Sequence, residues 1–153
     1  MDFNFSDDQE QLREAVGRWV EKAYPFDRRR AATAAGGFDR TTHGELAELG
    51  LTALCVPEAH GGLGLGAVES MVVMEQLGKG LVLEPYLATV LLVGGLLQKG
   101  GSAQLQGEYI PKIIDGSCLG AFAYLERQSR FELADVATTA TASDGGYRLD
   151  GEK

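Results

Sequence analysis

Two arginines close behind a glutamate are the first candidates for chemistry. In Glu126-Arg127-Gln128-Ser129-Arg130-Phe131-Glu132, the side chains of Arg127 and Arg130 can grip a phosphate or a carboxylate. A guanidinium presents a planar fork of donors that suits both anions. The competing reading pairs them with Glu126, Glu132 or Asp135 in surface salt bridges, which form readily and contribute little. Tyr124 either stacks beside a flat ring or is an aromatic of a strand. A second candidate is the run Gly61, Gly62, Gly64 and Gly66. Such a run needs backbone freedom and close approach rather than bulk. A phosphate cradle fits it poorly. No Gly-Lys-Ser/Thr is present, and no strand–turn–helix carries an acid about twenty positions on. The other reading is a surface loop joining two helices. His43 and His60 show no metal spacing and are expected to be structural or solvent-facing. Arg28, Arg29 and Arg30 read as a solvated patch. Cys55 and Cys118 make no Cys-x-x-Cys pair. Both lie in apolar runs and read as buried free thiols, in keeping with a reducing cytoplasm.

Elements must hold these residues in place. The chain has 153 residues, enough for one domain, or for one domain and a fragment of another. An apolar share of 44% argues against disorder. A net charge of −8 argues against a general nucleic-acid binder, but it leaves room for an anion held at one local site. The first residues, from Met1, have neither a basic region nor an apolar core, so they read as a true start without a signal peptide. The last residues follow an expected strand, which suggests a sequence that stops early.

Ser6 with Gln9 predicts an N-cap box and a helix from Ser6 to Ala23, with Leu12, Val16, Trp19 and Val20 on one face. Thr42 with Glu45 predicts a second box, and Gly50 the end of that helix. A third helix is expected over 67–78. Pro85 to Leu97 carries no charge, yet is shorter than the roughly twenty residues of a membrane span. It reads as a central helix buried on nearly all sides. Ser102 caps a further helix, which Pro111 kinks or restarts. After residue 117 the character changes. Cys118 to Leu125 reads as a buried strand, Val136 to Ala142 as a second, and Ser143-Asp144-Gly145-Gly146 as a turn into a third at Tyr147. The expected fold class is α+β: an N-terminal all-α bundle over 1–116, then the first strands of an antiparallel β-domain over 117–153.

The segments Glu48-Leu49-Gly50-Leu51, Val56-Pro57-Glu58 and His60-Gly61-Gly62-Leu63-Gly64-Leu65 resemble the N-terminal helical domain of the acyl-CoA dehydrogenases. The resemblance spans essentially the whole chain. It includes Tyr109-Ile110-Pro111, Gly120-Ala121-Phe122-Ala123 and the end from Tyr147 to Lys153. It implies a flavoprotein of fatty acid metabolism that binds FAD and an acyl-CoA. In such enzymes a carboxylate takes the α-proton and the flavin takes the β-hydride. That carboxylate would lie beyond Lys153, so no catalytic residue is assigned here, and no metal is implied. The flavin would meet Tyr124, Leu125, Glu126, Arg130 and Phe131. Glu84, Ala88 and Arg127 would face the acyl-CoA, although Glu84 is also the acid that a first helical turn favours.

The usual Thr-Glu-Pro-x-x-Gly-Ser-Asp is replaced by Leu125 to Glu132, keeping only Glu126. This run, with 82–89 and 133–139, is similar to the small subunit of pimeloyl-CoA dehydrogenases, which act on dicarboxylic and alicyclic acids. The implied partners are a larger homologous subunit or a second copy, in a tetramer or heterotetramer, and an electron-transfer flavoprotein. Neither nucleic acid nor membrane is implied. Leu125 and Arg130-Phe131 motivate an alternative, a partner subunit that holds no flavin of its own. A third reading, a generic helical binding module, requires that no sheet follow residue 117.

Overall fold

The structure is a computed structural model that describes residues 4–153; the reading of Met1 to Phe3 as a start lies outside the described residues. The chain forms two compact units, one ending at Ala121 and one running from Phe122 to Lys153.

The first unit is helical. Its helices are α1 (Asp7–Ala23), α2 (Phe26–Ala34), α3 (Arg40–Glu48), α4 (Ala67–Lys79), α5 (Gly94–Gly100) and α6 (Ala103–Ile114). Helix α1 starts where the sequence says: the Ser6 hydroxyl accepts from the Gln9 amide, and the Gln9 side chain accepts from Ser6 N–H. Helix α3 does not start at Thr42. Its N-cap is Asp39, whose carboxylate accepts from the amides of Thr41 and Thr42 and from the Thr42 hydroxyl. A carboxylate three residues upstream therefore takes the donors that Thr42 would have capped.

Helix α2, which no apolar period announces, is held by polar bonds. Arg28 forks onto Glu45 at 2.6 and 3.0 Å and also donates to Ala23 O. Trp19 Nε1 donates to the same carboxylate at 3.1 Å. The expectation of a solvated patch at 28–30 is thus corrected at Arg28, which ties α1, α2 and α3 together. Two groups in one bidentate fork hold an orientation that a single contact cannot.

Val16, Val20, Leu46, Leu51, Leu54, Val73, Leu77, Tyr86, Val90 and Ile113 form the core. The Tyr86 hydroxyl is satisfied there by Leu51 O at 2.9 Å. His43, 1% exposed, packs as an interior residue with neither ring nitrogen hydrogen-bonded, and burial holds its pKa below the ordinary value. The two thiols are half-buried rather than buried.

The stretch from Pro85 differs from expectation in two ways. Leu87–Val93 is a π-helix that continues into α5. Leu87, Leu92 and Leu96 are 50%, 41% and 51% exposed, so one apolar face is uncovered. No helix of the described residues is long and apolar enough to cross a membrane. Pro111 sits inside α6 without ending it.

The second unit holds one hairpin. Strand β1 (Thr139–Ser143) pairs antiparallel with β2 (Gly146–Asp150), in the register Ala140 to Leu149 and Ala142 to Tyr147. A sheet therefore follows residue 117, which removes the helical-module reading. Cys118 to Leu125 is not a strand. Its backbone has no partner strand among the described residues, and apolar composition alone cannot supply a ladder.

Candidate functional site

The segment after Ala121 is built around one carboxylate. Glu126 is among the buried residues of its unit, at 7% exposed. Its Oε2 accepts from Ala137 N–H at 2.7 Å and Gln128 Nε2 at 2.6 Å, and its Oε1 accepts from Thr138 N–H at 3.2 Å. Lys153 Nζ lies 2.7 Å from Oε1. Contact with Lys153, then bonds from Gln128 and Thr138, hold this carboxyl well below the usual carboxylate range. It is therefore a charged latch at neutral pH, with both carboxylate oxygens already engaged.

Between the two ends of the latch the chain runs through successive tight turns. Ser129 N–H donates to Glu126 O, Glu132 N–H to Ser129 O, and Asp135 N–H to Glu132 O. The Ser129 hydroxyl donates to Glu126 O and accepts from Glu126 N–H. Arg130 sits at φ 50, a left-handed conformation that favours glycine. Phe131, next to it, is 97% exposed. A short, braced loop thus projects a guanidinium and a phenyl ring.

Arg127 pairs with Glu152, Nε to Oε1 at 3.0 Å, and not with Glu126, Glu132 or Asp135. The pair is exposed, so solvent and salt weaken it and an anion can displace it. Upstream, the Phe122 and Tyr124 rings lie 5.4 Å apart and both are open to solvent. Among the described residues nothing accepts a hydrogen bond from the Leu125 amide. Tyr124, Leu125, Glu126, Arg127, Arg130 and Phe131 therefore share one short stretch of the second unit. Gln128, Thr138 and Lys153 belong with them as partners of Glu126, and no spacing in the sequence links position 126 to 153.

Glu84 and Ala88 lie in the helical unit. Ala88 is half-buried on the π-helix. Glu84 is 6% exposed; one oxygen accepts from Asp39 N–H at 3.3 Å and the other has no partner. The Tyr24 hydroxyl sits beside it. Burial, with Asp39 nearby, pushes the Glu84 carboxyl up from 4.5. The folded state therefore holds this proton more tightly than the unfolded chain does. That contribution is full at low pH and is lost as pH rises through the raised value. Glu84→Gln should raise the stability of this chain at pH 7 by about 1 kcal/mol, with the gain vanishing below about pH 4. Thermal melts of both proteins across pH 4 to 7 would show this.

The fold and sequence were compared with known proteins. Residues 6–117 match the family described as "Acyl-CoA dehydrogenase, N-terminal domain". The chain belongs to the acyl-CoA dehydrogenase family. It is 31% identical over 155 aligned residues to the benzylmalonyl-CoA dehydrogenase of Aromatoleum aromaticum (strain DSM 19018 / LMG 30748 / EbN1), covering 100% of this chain and 41% of that protein. The ChsE4-ChsE5 complex from Mycobacterium tuberculosis shares the fold, with a TM-score of 0.85 at 23% identity over 99% of this chain and 39% of the other. The Tcur3481-Tcur3483 steroid ACAD superposes with a TM-score of 0.81 at 25% identity, covering 99% and 40%. This acyl-CoA dehydrogenase chain thus spans about two fifths of the length of the relatives it matches. Among its described residues, no group of three His, Cys, Asp or Glu side chains is placed to hold a metal ion.

Proposed function

We propose that this chain is the N-terminal part of an FAD-dependent acyl-CoA dehydrogenase subunit that removes hydrogens from the α and β carbons of an acyl thioester. One observation carries the reading beyond the family. The segment leaves the Leu125 amide without an acceptor and the Tyr124 ring open, so a backbone donor and a flat ring stand on neighbouring residues. These residues suit the polar edge and the face of a flavin ring. FAD, when bound, supplies the two-electron acceptor. The chain's own contribution is orientation. Fixed backbone N–H groups stabilise developing negative charge without reorganising. The Glu126 latch braces the loop that follows Leu125, while Arg127 and Arg130 offer guanidinium groups to an anionic part of the thioester, a CoA phosphate or a distal carboxylate. Such a carboxylate would agree with a dicarboxylyl or alicyclic acyl chain and with likeness to the pimeloyl-CoA dehydrogenase small subunit. Glu84 and Ala88 would face the acyl group from the helical side. Residues 117–153 would open the β-domain, and the enzyme would work in the cytoplasm, handing electrons to an electron-transfer flavoprotein.

A second reading has its own support. Leu125 carries no hydroxyl, and Arg130 and Phe131 occupy the loop tip with bulk. They favour a subunit that completes a heteromer while its partner, a larger homologous subunit, holds the flavin. The paired naming of the steroid ACAD relative agrees with a two-chain assembly. Purified full-length protein, alone and with its partner, should be tested for flavin per subunit. One flavin per subunit supports the first reading. A colourless protein alone, and half that content in the mixed complex, supports the second.

A further inference from the structure

The helical unit ends in a clamp. Thr89 lies in the π-helix and is fully buried, at 0% exposed. Its hydroxyl donates to Gly120 O at 3.1 Å and accepts from Gly120 N–H at 3.1 Å. One side chain thereby satisfies both backbone groups of a residue that belongs to no helix or strand. Steric fit closes the same grip. A Cβ on Gly120 would come within 3.0 to 3.2 Å of three atoms of Val93. The wide turn is real at this point, since Gly94 N–H reaches back five residues to Thr89 O. Helical segments of this kind are rare and concentrate at functional positions.

The clamp is also the last anchor before the candidate site. Upstream, Cys118 N–H is tied to Lys112 O at 2.9 Å. From Ala121 to Leu125, no backbone group of the described chain makes a hydrogen bond, and the next tie is Glu126 itself. Within the helical unit, the Thr89–Gly120 bond pair is thus the last tie before the chain leaves it towards Tyr124 and Leu125.

We propose that Thr89 is a positioning residue for the redox site: it pins Gly120 so that Phe122 to Leu125 leave the helical unit from a fixed point. This rests on the dehydrogenase reading above. A slack anchor allows the free amide and the ring to wander, and small misplacements of oriented groups cost large factors in rate.

The test uses the full-length protein with its partner, in Thr89→Val, which keeps the shape and deletes the hydroxyl, and Thr89→Ser, which keeps the hydroxyl. In Thr89→Val, amide exchange at Gly120 should be about tenfold faster and kcat about tenfold lower, the size expected when buried backbone groups lose their partners. Thr89→Ser should remain within about threefold of wild type. Gly120→Ala should lower kcat in the same way, and adding Val93→Ala should restore it, which keeps the proposal open to test if Thr89→Val folds poorly. Unchanged kcat in a Thr89→Val protein that exchanges faster at Gly120 would overturn it, as would equal losses in the Ser and Val variants. A wild-type protein that never responds to acyl-CoA would instead defeat the dehydrogenase reading, while exchange at Gly120 would still report on the clamp.

Discussion

Glu126→Ala should release the whole of the segment from Glu126 to Thr138. Removing the carboxylate strands the amides of Ala137 and Thr138, the Gln128 side chain and the Lys153 ammonium at once. These donors are exposed or half-buried, so water can replace the carboxylate and the loss shows as local opening of the loop. Exchange at Ala137 and Thr138 should speed up by about tenfold or more, and proteases should cut within 127–136 long before they cut the helices. The pH behaviour is equally specific. The carboxyl is held below its ordinary value of 4.5, so the unfolded chain binds the proton more readily than the folded one. The latch therefore contributes fully above about pH 4.5 and is lost only as pH falls through the depressed value. In wild type, the Ala137 amide resonance should stay flat from pH 7 to about 4, while exposed carboxylates titrate around 4.3. Movement of Ala137 together with those carboxylates would contradict the latch.

Gly62→Ala should be the most damaging change in the glycine run, and Gly61→Ala far milder. A Cβ on Gly62 would overlap the carbonyl and the Cβ of Val56, a buried core residue. The clash is mainly with backbone, which cannot swing aside, and the loop is held there by Gly64 N–H to Val56 O at 2.8 Å and Leu65 N–H to Leu54 O at 2.9 Å. About 3 kcal/mol or more is expected. Gly61 has open space around it and is constrained only by φ +82. Its cost should be about 1–2 kcal/mol, that of placing a side chain in the left-handed region. Denaturant midpoints of the two variants give the ranking directly. A Gly61→Ala loss equal to that of Gly62→Ala would mean that freedom, not close approach, governs the run.

These two cases show what the sequence could and could not tell. The capping box at Ser6 and the helices over 7–23 and 67–79 follow from local patterns that act within a few residues. So does the hairpin at Gly145-Gly146. The glycine run was visible as a run, yet which glycine is irreplaceable depends on Val56, set by the tertiary path. Helix α2 was missed because its support is Arg28 reaching Glu45 rather than an apolar face. The N-cap at Asp39 was missed because a Thr-x-x-Glu spacing one turn later offered a rival signal. The stretch 118–125 read as a strand because its composition fits one, but a strand needs a neighbour, and composition carries no information about that. At the candidate site, Arg127 and Glu126 stand out in the sequence by residue type. Their partners Glu152 and Lys153 lie far along the chain, where only folding brings them back. The exposed leucines of the π-helix were likewise unreadable, since apolarity alone does not say which face stays open.

The most direct measurement is an anaerobic titration of the full-length protein, alone and with a larger homologous subunit, with candidate acyl-CoA thioesters while its visible spectrum is recorded. A yellow protein whose flavin absorbance bleaches in proportion to added thioester, with a 2-enoyl thioester recovered, is the predicted result. A complex with no flavin, or with flavin that no acyl-CoA reduces, would contradict it.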